Sequence, residues 1–201
     1  MAEPGAPSAA PVVCGEVAVP GAGAMRSLGV QLARLLRRGD LIVLGGPLGA
    51  GKTTLVQGIA EGLGVRGPVT SPTFVIARVH PSLHGGPGLV HADAYRLGSR
   101  LEVDDLDLDA ELQDCVTVVE WGEGLVEDLA PDWLRITIGR PAGGDGGPGE
   151  GGGAAPGAEP ATAAPGAELG DELRQVLVAG YGARWQDAAE ELSRVLSGPC
   201  E

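Results

Sequence analysis

The 201-residue sequence predicts an α/β domain, and two observations carry that expectation. Short apolar runs bounded by Gly, Asp or Pro alternate with stretches whose apolar residues recur at helical spacing. The 43% apolar content is enough for one modest core. With only 3% aromatic residues, that core must rest on Leu, Val, Ile and Ala.

Val12–Val19 has strand character. Leu28, Leu32, Leu35 and Leu36 lie at i, i+4, i+7 and i+8, one face of a helix ending near Gly39. Leu41–Leu44 is a short apolar run between Asp40 and Gly45, the pattern of a buried strand. A helix then runs from about Gly51 to Leu63. Phe74–Val79 and Leu89–Tyr95 read as strands, Asp104–Asp114 as an acidic helix, and Val116–Val119 as a second buried strand. Trp133–Arg140 and Leu173–Gly180 are strand-like, and Trp185, Ala188, Ala189, Leu192 and Leu196 form a final helical stripe.

Composition divides the chain. Residues 1–12 are rich in Ala, Pro and Gly and are expected to be a disordered tail. Residues 141–170 hold almost no β-branched or aromatic side chains, so they bury too little apolar surface to offset ordering entropy. They are read as a flexible insert between two strands, because a long surface loop costs little extra closure entropy. A linker to a second domain is the weaker alternative, since the roughly 30 residues that follow are too few for a core. One domain over 13–140 and 171–197 is expected.

Acidic residues outnumber basic ones 27 to 14, a net charge of −13. Gripping nucleic acid directly needs a Lys/Arg surface that releases counterions. The only basic cluster is Arg37-Arg38, so polyanion binding through the chain's own surface is not expected. Cys14, Cys115 and Cys200 show no CxxC or Cys/His spacing, which argues against a disulfide framework or zinc site. Met1–Val13 lacks the basic start and apolar run of a secretory signal. No run of about 18 apolar residues occurs. A cytoplasmic location away from membranes is expected.

Gly46-Pro47-Leu48-Gly49-Ala50-Gly51-Lys52-Thr53 matches G-x-x-x-x-G-K-[ST] and sits between an apolar strand and a helix, as a phosphate-binding loop must. Glycines let successive N–H groups turn inward around phosphate oxygens. The helix N-terminus adds free donors and a positive dipole end. The loop from Gly46 through Leu48, Gly49, Ala50 and Gly51, with Thr54 behind it, is thus the candidate nucleotide cradle. Lys52 is the chain's only lysine and would place a point charge on the β- and γ-phosphates. The Thr53 hydroxyl would ligate Mg²⁺. A guanine-selecting Asn-Lys-x-Asp needs a second lysine, so ATP is the expected nucleotide.

Glu120 ends the apolar run Cys115–Val119, the place of a Walker-B carboxylate on Mg²⁺; an ordinary strand-ending Glu looks the same. Thr70-Ser71-Pro72-Thr73 follows the loop helix and reads either as a γ-phosphate switch or as a Pro turn with local hydroxyl bonds. On a strand, His91, Asp93 and Tyr95 share one face. Asp93 there is a candidate for holding the attacking water or the metal shell, or a polar strand edge. His80 and His84 read as loop residues with no ligand role.

LGAGKTT (Leu48–Thr54), SPTF (Ser71–Phe74), HADAYRL (His91–Leu97) and VEW (Val119–Trp121), in this order and at these distances, resemble the TsaE (formerly YjeE) family of small P-loop ATPases of bacterial tRNA threonylcarbamoyladenosine synthesis. The resemblance covers about Val13–Arg140 and resumes at Leu173–Leu196. It implies a P-loop NTPase fold with a central mixed β-sheet flanked by helices. It further implies a role in N6-threonylcarbamoylation of adenosine 37 in tRNAs reading A-starting codons, through ATP hydrolysis on a TsaB–TsaD pair rather than carbamoyl transfer. By match to the family, Thr53 and Glu120 would be Mg²⁺ ligands, Lys52 and the loop amides would bind phosphate, Ser71 and Thr73 would belong to the switch, and Asp93 would support hydrolysis. Trp121 would lie beside the site, and Arg174 would reach the nucleotide. Pro47 stands where the family often has Asp, within the variable part of the loop, and the Gly/Ala/Pro insert is not a family feature. The alternative is a P-loop small-molecule kinase, which needs an Arg-rich acceptor site. A non-catalytic nucleotide sensor is a third reading.

Overall fold

The computed structural model describes residues 10–72, 77–96, 113–140 and 172–198. Among these residues seven strands form one sheet: β1 (Val13–Pro20), β2 (Leu41–Gly45), β3 (Ala77–His80), β4 (Gly88–Asp93), β5 (Cys115–Glu120), β6 (Trp133–Gly139) and β7 (Leu173–Tyr181), in the order β1-β7-β6-β2-β5-β4-β3. β6, β2, β5 and β4 run parallel, whereas β1–β7, β7–β6 and β4–β3 are antiparallel. The expected mixed sheet is what forms. Parallel strands are covered on both faces, which explains why β2, β4 and β5 are buried at every position.

One face carries helices α1 (Gly21–Ala33) and α2 (Lys52–Leu63), with the shorter α3 (Ala183–Asp187) and α4 (Ala189–Ser197) near β1 and β7. Met25, Leu28 and Leu32 of α1 and Leu55 and Ile59 of α2 meet Ile42, Leu44, Val118 and Ile136 of the sheet in the main core. The opposite face packs Leu41, Val43, Val90 and Val119 under Val126 and Ala130.

α1 begins before the Leu stripe, because Ala24 and Met25 extend the same buried face toward the N-terminus. It also ends earlier than Gly39. Arg34, Leu35 and Leu36 donate to carbonyls only three residues back, so the helix tightens into a turn. The last helical stripe is two helices, broken at Ala188 (φ −92°, ψ 7°). The strand expected over Phe74–Val79 is described only from Ala77, and of the acidic helix over Asp104–Asp114 only Gln113 and Asp114, in a turn, are described. The insert at 141–170 and most of the N-terminal tail also lie outside the described residues.

Close packing of α1 on α2 depends on two glycines. A Cβ at Gly29 would stand 2.4 Å from the Leu55 carbonyl oxygen and 2.8 Å from the Ile59 nitrogen. One at Gly58 would stand 2.1 Å from the Arg26 carbonyl. Gly29→Ala is therefore expected to force the helices apart and to destabilise by about 1–2 kcal/mol, the overpacking cost exceeding the gain in helix propensity. Gly23→Ala, where nothing lies within 4 Å, is expected to be neutral or to stabilise by up to about 1 kcal/mol. Urea midpoints of the two variants check the contrast.

Asp40 fastens the C-terminal helices to the centre of the sheet. Its Oδ2 accepts from the Arg37 amide (2.8 Å) and from Arg184 (3.3 Å), and Arg184 also donates to the Leu35 carbonyl (2.6 Å). Burial pushes the Asp40 carboxyl above its ordinary 3.8, more than the Arg37 amide and Arg184 pull it down. The folded state then binds this proton more tightly than the unfolded chain. Stability from this group falls as pH rises from about 3.8 through its raised value. Asp40→Asn removes the titration, so the variant should gain on the wild type across that window. An unchanged difference in urea melts over the series would contradict this.

Candidate functional site

The site begins where β2 runs out. Gly46 has φ +128°, and its α-carbon passes so near the Ile138 carbonyl of β6 that a Cβ would come within 2.3 Å. Only glycine combines that backbone with that approach. The chain then turns outward to Leu48, 90% exposed at the tip, and returns through Gly49 and the buried Ala50 to Gly51. Gly51 precedes α2 in the left-handed region (φ 110°) with no side-chain cap. The first intrahelical bond runs from the Leu55 amide to Gly51 O (2.9 Å), so the amides of Lys52, Thr53 and Thr54 have no partner within the helix. The loop thus presents donors and a positive helix end at one point.

Lys52 is 5% exposed. Its Nζ donates to the carbonyls of Gly46 (2.8 Å) and Pro47 (3.1 Å), and the Trp121 ring lies 4.0 Å from it. Burial pushes the ammonium below its ordinary 10.5, while the carboxylates of Glu120, Asp93 and Glu123 oppose that push. The cation is thus held dry over the loop by partners that a phosphate can replace.

The acids come from the ends of neighbouring strands. Parallel pairing sets Leu44 of β2 beside Glu120 of β5, and Glu120 beside Asp93 of β4. Glu120 is 3% exposed, and its Oε1 accepts from Thr53 Oγ1 (3.1 Å) and His91 Nε2 (2.9 Å). Asp93 is 6% exposed, and its Oδ1 accepts from the Tyr95 amide (2.9 Å). The structure therefore gathers Lys52, Thr53, Asp93 and Glu120 at one end of the sheet.

Sequence reasoning placed Trp121 beside the site without naming its contact, and it missed the roles of Glu123 and His91. Trp121 adopts φ +61°, costly for a bulky residue, while its amide donates to Leu44 O (3.0 Å). That bend sets the indole over Lys52, with the Tyr95 ring edge-on at 5.4 Å. Glu123 fills the space a side chain at Gly45 would need, which brings its charge near Lys52. His91 holds Glu120. The contacts of these three carry no local signature, because each depends on strand register or on a turn.

Other expectations are corrected or lie elsewhere. β4 ends at Asp93, so Tyr95 is 66% exposed in the following turn and not on the strand face. His80 is not a loop residue. It ends β3, is 4% exposed, and is paired through Nδ1 with the Arg66 carbonyl (3.2 Å). Burial lowers its pKa below 6.5 despite that carbonyl. Ser71 is exposed beyond α2, and Thr73 lies outside the described residues. Arg174 is 7% exposed on β7, and among the described residues its hydrogen bonds and ion pair all go to Glu172 and Leu173, none to the loop. A cavity of about 150 Å³ lined by Arg26, Gln57, Glu61 and Val69 shares no residue with the loop, and its arginine is engaged by Glu61 (2.8 Å).

A mixed sheet with a glycine loop, a lysine and strand-end acids in this order defines a P-loop α/β protein. The chain belongs to the TsaE family, whose model, described as threonylcarbamoyl adenosine biosynthesis protein TsaE, matches residues 19–143. It is 55% identical over 165 residues to the tRNA threonylcarbamoyladenosine biosynthesis protein TsaE of Streptomyces coelicolor, covering 82% of this chain and 95% of that one. The protein of that name from Bacillus subtilis is 34% identical over 163 residues, 81% of this chain and 83% of its own. The crystal structure of Bacillus subtilis YdiB superposes with a TM-score of 0.61 at 28% identity, covering 90% of this chain and 95% of that one.

Proposed function

We propose that this chain binds and hydrolyses ATP in support of N6-threonylcarbamoylation of adenosine 37 in tRNAs reading A-starting codons, docked on a TsaB–TsaD complex. The tRNA pathway rests on the names of its relatives. The ATPase reading rests on one observation above all. The sole lysine is buried over a glycine loop, with Thr53 and Glu120 3.1 Å apart beside it. Two hard oxygen donors next to a phosphate cradle fit Mg²⁺, which takes few protein ligands and completes its shell with phosphate and water. Bound there, Mg²⁺ would supply positive charge to the terminal phosphates. The loop amides and Lys52 bind and orient the phosphates, and Thr53 and Glu120 would hold the metal. Asp93, beside Glu120 in register, accepts a hydrogen bond from the attacking water.

The net charge of −13 favours protein partners over direct contact with tRNA. Among the described residues, the charged groups acting on Lys52 are carboxylates and not arginines, so the kinase alternative gains no support. No helix among the described residues is long and apolar enough to cross a membrane. Phosphate release by the full chain, measured with and without TsaB and TsaD, tests the reading. Slow release alone, with stimulation and co-purification on adding the pair, is expected. No release in either case, or transfer of phosphate to a small acceptor, would overturn it.

A further inference from the structure

We infer that His91 is a positioning residue that fixes the Glu120 carboxylate, and through it the metal-holding pair Thr53–Glu120. The inference rests on the Mg²⁺ reading above and extends it to a residue that sequence reasoning left without a role. His91 lies inside β4, 0% exposed, paired in register with Val118, two residues before Glu120. Its Nε2 stands 2.9 Å from Glu120 Oε1. A carboxylate only accepts, so Nε2 carries the proton and the tautomer is set. The same oxygen takes the Thr53 hydroxyl at 3.1 Å. Two donors on one oxygen stop the carboxylate from rotating.

The two donors are not equivalent. Thr53 is itself a candidate ligand, and its hydroxyl rotates freely to suit a cation. The imidazole is locked in the sheet and always points the same way. His91 also carries a cost, because Nδ1 is buried with no hydrogen-bond partner among the described residues. An orphaned buried polar atom is destabilising, and an apolar side chain within a buried strand would avoid it. What histidine supplies here that an apolar residue does not is the Nε2–H bond to Glu120. Partners that orient metal-holding carboxylates typically change metal affinity when removed, without touching the metal.

The test uses the full chain and a fluorescent non-hydrolysable ATP analogue, bound first in EDTA and then across a Mg²⁺ titration. For His91→Leu, the Mg²⁺ concentration giving half the metal-dependent effect should rise roughly 10–100-fold. Affinity in EDTA should stay within about 3-fold, and His91→Gln, whose amide can donate from the Nε2 position, should recover most of the loss. Unchanged Mg²⁺ dependence in His91→Leu, or an equal loss with and without metal, overturns the inference while leaving the site reading intact. No Mg²⁺ dependence in the wild type overturns the site reading first, and the inference with it. Should His91→Leu fail to fold, nitrogen-15 spectra of the wild-type imidazole decide. A proton on Nε2 that shifts when Mg²⁺ and the analogue are added supports the role, and a bare Nε2 overturns it.

Discussion

Lys52→Ala is expected to reduce ATP affinity by at least 10–100-fold, about the 1.5–3 kcal/mol carried by a hydrogen bond to a charged group. The loss should exceed that range, because the carboxylates of Glu120, Asp93 and Glu123 would then face the phosphates uncompensated. Calorimetry with ATP and Mg²⁺ measures it, and micromolar affinity in the variant would contradict the phosphate role. Lys52→Arg should not restore binding. The ammonium is seated between the Gly46 and Pro47 carbonyls and the Trp121 ring, a space shaped for a compact charge and not a planar fork.

Glu120→Ala is expected to lower Mg²⁺-dependent turnover by roughly 100-fold or more, with nucleotide binding in EDTA nearly unchanged, because several kcal/mol of charge stabilisation is routed through the metal. Alanine also strands the buried His91 Nε2–H and the Thr53 hydroxyl, so a fall in thermal stability should accompany it. Glu120→Gln separates the two effects. Its carbonyl still accepts from both donors while the charge is gone, so stability should recover and turnover should not. Wild-type turnover in Glu120→Gln would refute the metal role.

Much of this arrangement was legible in the sequence because its signals are local. The run Leu41–Leu44, the glycines after it and the helix start at Lys52 are contiguous, and each dictates its own conformation. Glu120 could be placed at a strand end because an apolar run stops there, whereas the strand expected through Asp93 ran on to Tyr95. Their adjacency could not be read, since it follows from the pairing of β4 with β5 across residues distant in sequence. The His91–Glu120 bond spans 29 positions and needs that same register. Trp121 was expected beside the site, but its contact with Lys52 could not be read for a different reason. Its positive φ opposes residue preference and is imposed by the junction of β5 with β2. Arg174 pairs with Glu172, two residues before it, an ion pair that no pattern in the sequence signals.

The strand order has a consequence for how the chain is made. Among the described residues β1 has a single neighbour in the sheet, β7, and β7 also covers the outer edge of β6. During synthesis the first strand must therefore wait, unpaired, until residues 173–181 have left the ribosome. Contacts so remote in sequence slow the closing step of folding. A nascent chain stalled before Leu173 would display two open backbone edges, those of β1 and β6, to any other polypeptide able to pair with them.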